Sequence, residues 1–445
     1  MGAFKAYDIR GIYNTDFNKE DVYRIGFFLP DLLKTNKILV GRDVRVSSPE
    51  VYESLARGIN DGGADVYYIG LSTTPFVYWA TAKFNFDASV MITASHNSKE
   101  YNGLKISRTN ALPVGYDSGL DKLEKLIKEH PVVPKSVKGK IIDFDKRNEY
   151  LDFLKAYVPD ISGLKLSIDC SNGMASLFIK DLIGESPSYL FFDLDGTFPN
   201  HEANPLVPEN VADLKKHVLE NKSDLGIVFD GDADRVMFID EKGVFISPDL
   251  IIGVLAHYYL EKEKGNVLQD IRTSKAVGEY IEKFGSTMHM WRVGRAYASP
   301  KLREINGIFG GEFAGHYYFR DFYYSDSGLL ACLLVLDVVA KMKKDGVTVS
   351  ELINRISSYS NSGEINFRLE RKREAMEAMR EFFSAEETPE AFYDFDGYRI
   401  DFKDWWFNIR MSNTEPFLRF LAEATSQELL EEKIAAARKI ISRFE

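Results

Sequence analysis

The chain has 445 residues, of which 45% are apolar and 28% are charged, and this is the composition of an ordinary globular protein. Its length exceeds what one hydrophobic core supports, so we expect roughly two to four domains. The net charge of −11 argues against nucleic acid or a membrane surface as the main partner. A site for an anionic ligand would need a local concentration of arginine and lysine.

Short apolar strands alternate with helical stretches in the first part of the chain, in the order Ile38–Val40 (strand), Pro49–Ile59 (helix), Val66–Ile69 (strand), Thr74–Phe84 (helix) and Ala88–Ile92 (strand). This alternation predicts βαβ units and a parallel or mixed sheet covered by helices. The strand–helix–strand order returns twice, at Leu166–Ile168, Met174–Ile183 and Tyr189–Phe192, and at Val267–Gln269, Ser274–Phe284 and Thr287–Trp291. We therefore expect three similar α/β units, although no clear sequence repeat accompanies them.

Two polar segments are candidate domain boundaries, Pro131–Lys140 and the small, glycine-ended Ser357–Gly363. Beyond the second segment the pattern changes to α+β. A helix is predicted at Arg371–Ser384, and Trp405–Ile409 alternates like a strand. A terminal helix is predicted from one apolar face, formed by Leu430, Ile434, Ala437 and Ile441.

The remaining composition favours a cytoplasmic protein. Cys170 and Cys332 lie far apart and outside any C-x-x-C spacing, which indicates a reducing compartment and buried free thiols. Met1–Tyr7 contains no apolar signal-peptide core. The longest apolar run, Gly328–Ala340, is interrupted by Asp337 and is too short to span a bilayer, so it predicts a buried helix.

The first candidate site is T-A-S-H-N at Thr93–Asn97, which follows the predicted strand Ala88–Ile92. Open α/β sheets place their reactive loops at the carboxyl ends of strands. Ser95 beside His96, with Lys105 close behind, is typical of an activated hydroxyl with its own acid and base groups. A polar loop whose serine caps a turn is the alternative. No G-x-S-x-G elbow is present, which argues against acyl transfer of the hydrolase type.

The second candidate site is D-G-D-A-D-R at Asp230–Arg235, between the apolar strands Leu225–Phe229 and Val236–Ile239. Three carboxylates at alternate positions of a turn can converge on one hard cation. An EF-hand is excluded because Arg235 stands where its loop requires glycine and because strands flank the motif. A solvated turn is the alternative, but three close carboxylates would repel one another without a cation.

The third candidate site is G-G-E-F-A-G-H at Gly310–His316. Its glycines allow the backbone to approach a ligand closely. Glu312 between them can accept hydrogen bonds from two neighbouring sugar hydroxyls. A glycine-rich hairpin without a ligand is the alternative.

The fourth candidate site is R-M-S-N-T-E-P-F-L-R at Arg410–Arg419. Its side chains and backbone amides can form an anion nest, and arginine offers bidentate geometry to phosphate. The segment therefore supplies one of the basic clusters that an acidic protein needs for an anionic ligand. A capped turn is the alternative.

These four segments, in this order, resemble the α-D-phosphohexomutase family, specifically its phosphomannomutase/phosphoglucomutase branch. The resemblance covers essentially the whole chain, including Ala6–Gly11 (A-Y-D-I-R-G), which matches the family's opening motif. It implies an isomerase, an intramolecular phosphotransferase, that interconverts hexose 1-phosphate and hexose 6-phosphate of mannose or glucose. The implied route passes through a phosphoserine and a hexose 1,6-bisphosphate, which also serves as activator.

The resemblance also implies four domains around a central cleft, each contributing one loop. The expected α/β domains, with mixed sheets covered by helices, are 1–140 with the phosphoserine loop, 141–247 with the metal loop and 248–360 with the sugar loop. The expected C-terminal α+β domain is 361–445, with a phosphate-binding loop.

The resemblance assigns a role to each candidate residue. Catalysis falls to Ser95 as phosphoserine, with Arg10, His96 and Lys105 in acid/base and phosphate-contact positions. Mg²⁺ is implied at Ser95, Asp230, Asp232 and Asp234. Substrate contacts are implied for Tyr7, Arg235, Arg272, Arg295, Glu312, His316, Arg410, Ser412, Asn413, Thr414 and Arg419.

Three positions depart from the family pattern. Ala233 stands where glycine is usual, which demands a modest change of backbone. Ala314 replaces the usual serine, so one hydroxyl contact is missing. Arg295 replaces a common histidine and keeps a cationic donor there.

Other functions remain open at this point. A phosphoglucosamine mutase or a strict phosphoglucomutase is the alternative within the enzyme class. A phosphosugar-binding regulator is the non-enzymatic alternative. The loss of Ser95 or of one aspartate of the triplet would favour it, yet Ser95 and all three aspartates are present. We expect a small phosphosugar as partner, no nucleic acid, no membrane, and a monomer or homodimer.

Overall fold

The computed structural model describes residues 2–357, 359–412 and 417–444, and these residues form four β-sheets with their covering helices. The sheets follow one another along the chain. The predicted fold class, three α/β units followed by an α+β unit, is confirmed.

The first sheet has the strand order β1-β5-β4-β2-β3-β7, and β6 pairs with β5 beside this path. Its strands are β1 (Ile9–Ile12), β2 (Lys37–Arg42), β3 (Asp65–Leu71), β4 (Ala88–Ile92), β5 (Tyr101–Arg108), β6 (Leu112–Pro113) and β7 (Ile141–Asp143). The accompanying helices are α1 (Lys19–Leu33), α2 (Ser48–Asp61), α3 (Thr74–Lys83) and α4 (Leu120–Glu129). β4 is buried along its whole length and runs parallel to β2, so its carboxyl end delivers the T-A-S-H-N loop to the sheet edge.

The second sheet has the order β12-β11-β10-β8-β9. Its strands are β8 (Leu166–Asp169), β9 (Ser188–Leu190), β10 (Leu225–Phe229), β11 (Val236–Asp240) and β12 (Phe245–Ile246), and the accompanying helices are α5 (Arg147–Lys155), α6 (Ile179–Ile183) and α7 (Ala212–Asn221). β10 and β11 are buried throughout and pair as an antiparallel hairpin. The D-G-D-A-D-R turn joins them, so two rigid strands hold the acidic loop.

The third sheet has the order β14-β13-β15-β16-β17. Its strands are β13 (Asn266–Asp270), β14 (Thr287–Trp291), β15 (Phe309–Gly311), β16 (Tyr317–Phe319) and β17 (Ser325–Asp326). Its helices are α8 (Leu250–Tyr259), α9 (Lys275–Lys283), α10 (Arg295–Glu304), α11 (Gly328–Lys344) and α12 (Val349–Ile356).

The first three sheets share one topology. In the second and third sheets, the strand that comes first in the chain (β8 or β13) lies between two parallel neighbours. Two further strands (β11 and β12, or β16 and β17) then extend the sheet on one side, each antiparallel to the strand before it. The inner part of the first sheet, β3-β2-β4-β5, repeats this order. The structure thus supplies the repetition that the sequence alone did not prove.

The fourth sheet is antiparallel in every described pairing. Its strands are β18 (Ser360–Asn361), β19 (Ile365–Arg368), β20 (Ala391–Tyr393), β21 (Tyr398–Asp401), β22 (Trp405–Met411) and β23 (Phe417–Ala424), and its helices are α13 (Lys372–Glu386) and α14 (Gln427–Ile441). The predicted apolar face of the terminal helix is confirmed, since Leu430, Ala437 and Ile441 are buried and Ile434 packs against them.

The first three sheets share a continuous hydrophobic core, whereas the fourth has its own. One buried cluster runs from Leu39 of the first sheet through Ile168 of the second to Phe309 of the third, and α11 is its central helix. Both cysteines are buried and free, and burial raises the pKa of the Cys170 thiol to about 12. Within the described ranges, no helix combines the length and apolar character needed to cross a bilayer.

Two predicted elements differ from the structure. Met174–Ile183 was expected as one helix, but a 3₁₀ turn (Met174–Leu177) and α6 divide it, because Phe178 has φ −129°. The strand expected at Tyr189–Phe192 ends at Leu190, because Phe191 turns into the left-handed region with φ 46°.

The predicted domain boundaries at 140, 247 and 360 stay predictions. β7 follows the first of them and pairs with β3 in the first sheet. β18 lies inside the polar segment 357–363 and pairs with β23 in the fourth sheet.

Candidate active site

Ser95 lies in the loop after β4, with a left-handed backbone at φ 51°. Its amide donates to Thr93 Oγ1 at 2.9 Å. A buried guanidinium fixes the loop from behind, since Arg45 donates to the carbonyl oxygens of Ser95, Asn97, Ser98 and Tyr101 at 2.6–3.1 Å. These bonds hold the loop through its backbone and leave the Ser95 hydroxyl free to face the acidic turn.

The Ser95 hydroxyl contacts a carboxylate and a guanidinium group of the acidic turn. Its Oγ donates to Asp230 Oδ2 at 2.9 Å and accepts from Arg235 Nη2 at 3.2 Å. His96 Nδ1 lies 3.3 Å from the same Oγ. Burial, and then the charge of Arg235, hold the pKa of His96 well below its ordinary value, so this imidazole is neutral at neutral pH.

The acidic turn brings the three predicted carboxylates together. Ligand oxygens of Asp230, Asp232 and Asp234 lie within 4.8 Å of one another, and all three residues are buried. Gly231 is required for this approach, because a Cβ there would lie 2.6 Å from the Ser95 carbonyl oxygen. Burial, and then the charge of Asp234, raise the pKa of Asp230, as expected for carboxylates that a bound cation would neutralise.

Two oxygens of this cluster accept no hydrogen bond from the described part of the chain. Lys105 Nζ donates to Asp232 Oδ2 at 2.7 Å and to Asp234 Oδ2 at 2.5 Å, and the Thr74 hydroxyl also donates to Asp232 Oδ2. The other oxygens, Asp232 Oδ1 and Asp234 Oδ1, are buried and accept no hydrogen bond from any described residue. Buried carboxylate oxygens without donors fit a hard cation such as Mg²⁺.

Lys105 comes from β5 and Thr74 from the start of α3, both in the unit of the first sheet. The positive charge of Lys105 therefore offsets the negative charge of an acidic turn that belongs to the second sheet. Burial opposes the charge on Lys105, but Asp232 and Asp234 outweigh it and raise the pKa of Lys105 well above its ordinary value. The Thr74 amide also donates to the Asp232 carbonyl oxygen at 3.0 Å. The position of the acidic turn is therefore fixed by contacts from another sheet.

Ala233 carries a left-handed backbone, with φ 60°. That conformation costs a non-glycine residue about 1–2 kcal/mol, whereas glycine loses about 0.4–1 kcal/mol through its freer unfolded chain. We expect Ala233→Gly to be as stable as the parent or up to about 1 kcal/mol more stable, measured by urea unfolding. Ala436→Gly within the regular helix α14 is the control and should lose about 1 kcal/mol. A comparable loss in Ala233→Gly would contradict strain at this position.

The third loop packs directly on the acidic turn. Arg235 and His316 form an antiparallel backbone bridge, and Gly315 turns the chain between Glu312 and His316 with φ 86°. Glu312 is buried, and its Oε1 accepts from Tyr318 Oη at 2.7 Å and from the Gly294 amide at 3.2 Å. These contacts hold the carboxylate in place, and burial raises its pKa.

Arg295 lies behind His316. Asp326 connects them, accepting from His316 Nδ1 at 2.7 Å and from Arg295 Nε at 3.1 Å. Arg295 also donates to the Ala111 carbonyl oxygen at 2.6 Å, and its guanidinium stacks on Tyr78 at 3.5 Å from the ring centre. The described contacts of Arg295 therefore join the third sheet to the first, and its predicted contact with substrate stays a prediction.

Arg10 lies on β1 beside the Ser95 loop, where it donates to Asn97 Oδ1 at 2.9 Å and to Asp8 Oδ2 at 2.5 Å. It pairs in register with Gly103 of β5, where a Cβ would come within 2.3 Å of a backbone oxygen. Glycine at 103 thus allows β1 to lie close enough to bring Arg10 to the loop. Tyr7, the other predicted residue of this segment, packs edge-on against Tyr297.

The predicted phosphate-binding arginines meet between the third and fourth sheets. Arg410 of β22 and Arg419 of β23 are register partners, and Arg272 follows β13. Arg272 pairs with Asp270 at 2.6 Å. Burial, and then the charge of Arg272, lower the pKa of Arg410, which indicates a concentrated positive field. The Ser412 amide donates to the Phe417 carbonyl oxygen at 2.9 Å. The predicted contacts Asn413 and Thr414 lie outside the described residues.

Some residues close to these loops were not among the sequence-based candidates. Arg45 stands in a charged segment, G-R-D-V-R, at the end of β2, and that pattern was the available signal. Thr74 and Asp326 contact the site across distant segments and carry no local signal. Arg292, two residues before Gly294, stacks on Tyr297 at 3.7 Å and adds a cation near the third loop.

The four sheets bring together a buried serine, an acidic turn, a buried glutamate and an arginine cluster. This combination defines a multidomain phosphotransfer enzyme. Family models for the phosphoglucomutase/phosphomannomutase alpha/beta/alpha domains I, II and III match residues 1–131, 148–243 and 247–359, and the C-terminal domain model matches 364–440. The chain belongs to the phosphoglucomutase/phosphomannomutase family and is an isomerase of the phosphomutase type.

Individual relatives agree with this assignment. The chain is 37% identical to the phosphomannomutase of Salmonella montevideo, over 97% of this chain and 98% of that protein. It is 34% identical to the phosphomannomutase of Methanocaldococcus jannaschii, over 100% and 98%. A solved phosphoglucomutase/phosphomannomutase family protein from Burkholderia thailandensis matches with a TM-score of 0.89 at 27% identity, over 99% and 97%.

Proposed function

We propose that this enzyme moves phosphate between C1 and C6 of mannose and glucose phosphates, with Ser95 as the phosphate carrier. One observation carries the proposal: the Ser95 hydroxyl lies 2.9 Å from Asp230 in a buried acidic turn. Two carboxylate oxygens of that turn lack a hydrogen-bond donor among the described residues. A nucleophile beside a set of hard carboxylate ligands suits phosphoryl transfer.

Asp230, Asp232 and Asp234 would hold Mg²⁺ together with a phosphate oxygen on Ser95. When bound, Mg²⁺ neutralises charge on the transferring phosphoryl group. Arg235 donates to the Ser95 Oγ, the atom on which negative charge develops as the phosphate leaves. Lys105 holds Asp232 and Asp234 in place by donating to the Oδ2 atom of each carboxylate.

The transfer breaks the bond between phosphorus and Ser95 Oγ as the free hydroxyl of a hexose monophosphate forms its own bond to phosphorus. The attacking hydroxyl must lose a proton and the leaving Ser95 Oγ must gain one. We assign both transfers to neutral His96, whose Nδ1 lies 3.3 Å from that Oγ, with Lys105 and Arg10 as phosphate contacts. The product is a hexose 1,6-bisphosphate, which turns in the site and returns its other phosphate to Ser95. Added bisphosphate should therefore activate the enzyme by phosphorylating free Ser95.

The remaining predicted residues bind the substrate. Glu312 and His316 would read sugar hydroxyls, and Tyr7, Arg235 and Arg295 would border them. The non-reacting phosphate would bind at a distal site made by Arg272, Arg410, Ser412, Asn413, Thr414 and Arg419. Because either phosphate of the bisphosphate must fit this distal site, its donors have to recognise phosphate without reading the sugar.

We expect both mannose and glucose phosphates as substrates. Glucose and mannose differ only at O2, whereas the family resemblance assigns O3 and O4 to Glu312. Strong discrimination needs a buried group dedicated to the differing hydroxyl, and Ala314 removes one candidate. The kcat/KM values for glucose 1-phosphate and mannose 1-phosphate should differ by about tenfold to a hundredfold at most. A ratio beyond about ten-thousandfold would mean that O2 is read directly, and the dual specificity would be wrong.

The remaining features of the proposal concern the whole molecule. We place the enzyme in the cytoplasm, as a monomer or homodimer, with domains 1–140, 141–247, 248–360 and 361–445 around a central cleft. Each domain contributes one of the four loops. Free, buried cysteines support a reducing compartment.

The intact mass of the purified protein, before and after phosphatase treatment, tests the carrier. We expect a phosphatase-sensitive gain of one phosphate, mapped to the peptide that contains Ser95, after incubation with glucose 1,6-bisphosphate. Phosphate on another residue, or none in protein that turns over substrate, would overturn the proposal.

A further inference from the structure

A carboxylate of the protein itself lies among the arginines of the distal site. Glu364 stands just before β19, and its Oε1 accepts from Arg419 Nη1 at 2.8 Å. Its Oε2 lies 3.7 Å from Arg410 Nη2 and 3.9 Å from Arg272 Nη1. One short contact and two longer ones place this single carboxylate at the meeting point of three guanidinium groups.

The surrounding charge explains why an anion is stabilised there. Arg410 is buried, and its Nε has no hydrogen-bond partner among the described residues. Asp396 is the further acidic group that acts on Arg410, but it accepts from the Val293 amide at 2.8 Å. Without Glu364, the mutual repulsion of the three arginines would be balanced by fewer carboxylates.

The contact geometry also makes Glu364 replaceable. Contacts of 3.7 and 3.9 Å are too long for hydrogen bonds, so Glu364 does not occupy a donor of Arg410 or Arg272 that a better-fitting anion could use. A phosphate offers more charge and three oxygens to the same donors. The Glu364 side chain is 19% exposed, so it has a route out of the cluster.

We propose that Glu364 is the internal counter-anion of the distal site and that a phosphate of the substrate displaces it. This inference rests on the function proposed above, which gives the three arginines to the non-reacting phosphate. In the free enzyme, Glu364 bridges Arg272 beside the third sheet to Arg410 and Arg419 of the fourth. In the complex, the phosphate takes over this bridge.

The displaced carboxylate would serve the turning of the bisphosphate. A hexose 1,6-bisphosphate must leave the distal site with one phosphate and return with the other. Three arginines without a competing anion would hold it too tightly, and tight binding of the ground state does not raise kcat. Glu364 lowers the affinity for every phosphate that enters, because it must first be expelled and can return when the phosphate leaves.

Glu364→Gln tests this inference, because glutamine keeps the shape and removes the charge. By calorimetry with dephosphorylated protein, we expect Glu364→Gln to bind glucose 1,6-bisphosphate and inorganic phosphate about tenfold more tightly than the parent, which corresponds to about 1.4 kcal/mol. The KM for glucose 1-phosphate should fall, and kcat should fall with it because release slows. Without phosphate the variant should unfold at a lower temperature, and phosphate should raise its unfolding temperature by more than it raises that of the parent.

Two further variants complete the design. Glu263→Gln removes a carboxylate that pairs with Arg320 at 2.7 Å on the exposed surface, and it should leave phosphate affinity unchanged. Glu364→Asp keeps the charge but shortens the reach, so it should give a smaller gain in affinity and remains informative if the glutamine variant does not fold.

Unchanged or weaker binding of both phosphate probes in Glu364→Gln or Glu364→Asp would overturn the counter-anion role and leave the mutase function standing. A parent protein that binds neither probe would instead overturn the distal phosphate site itself, and the role of Glu364 with it. A purely structural Glu364 would lower the unfolding temperature without tightening phosphate binding.

Discussion

Ser95→Ala is expected to lower turnover by several orders of magnitude while the protein keeps its fold. The substitution removes the hydroxyl that lies 2.9 Å from Asp230 in the acidic turn, and alanine offers no atom that could accept phosphate at that position. The fold should survive because the loop is held through its backbone, where Arg45 donates to carbonyl oxygens that alanine retains. Activity is measured with phosphatase-treated protein and added glucose 1,6-bisphosphate, and folding by circular dichroism.

Ser98→Ala is the matched control, because Ser98 lies in the same loop and contacts Arg45 through its carbonyl oxygen. This variant should keep activity within a few-fold of the parent. If phosphate-free Ser95→Ala turned over substrate at nearly the parent rate, the carrier role of Ser95 would be lost, whatever the metal does.

The local parts of the site were predictable from sequence. The strand pattern around Ala88–Ile92 and the hairpin strands of D-G-D-A-D-R are periodic over short distances, and both elements form where they were expected. Alternate carboxylates in a tight turn have little freedom except to converge, and the structure brings Asp230, Asp232 and Asp234 together. Such elements can be predicted from sequence because the residues that determine them lie within a few positions of one another.

Contacts between distant segments were not predictable in this way. Thr74 meets Asp232 across 158 positions of sequence, and Arg295 meets Ala111 across 184. Nothing in the local composition of either segment signals its partner, because such contacts arise only when sheets pack. The same limit hid Glu364, an ordinary surface residue by sequence that packing places beside three arginines.

Removal of the metal is expected to abolish activity, and Asp232→Asn should weaken Mg²⁺ binding by about tenfold or more. One Asp232 oxygen accepts from Lys105 and Thr74, and the other lacks a donor among the described residues. An asparagine cannot satisfy both needs, since its amide nitrogen must face either the lysine or the cation. The variant therefore loses a ligand charge and also disturbs the lysine that positions the turn.

Calorimetry with Mg²⁺ separates this loss of affinity from a loss of fold, and Asp240→Asn is the control. Asp240 is the last residue of β11, the strand that follows the acidic turn, and its carboxylate accepts from backbone amides to which an asparagine oxygen can also bond. That variant should bind Mg²⁺ like the parent.

In the parent, exhaustive treatment with EDTA should stop turnover, and added Mg²⁺ should restore it. Full activity after chelation would exclude the metal from the reaction. It would also leave unexplained why one oxygen each of Asp232 and Asp234 accepts no hydrogen bond from the described residues, because buried carboxylate oxygens are rarely left unsatisfied.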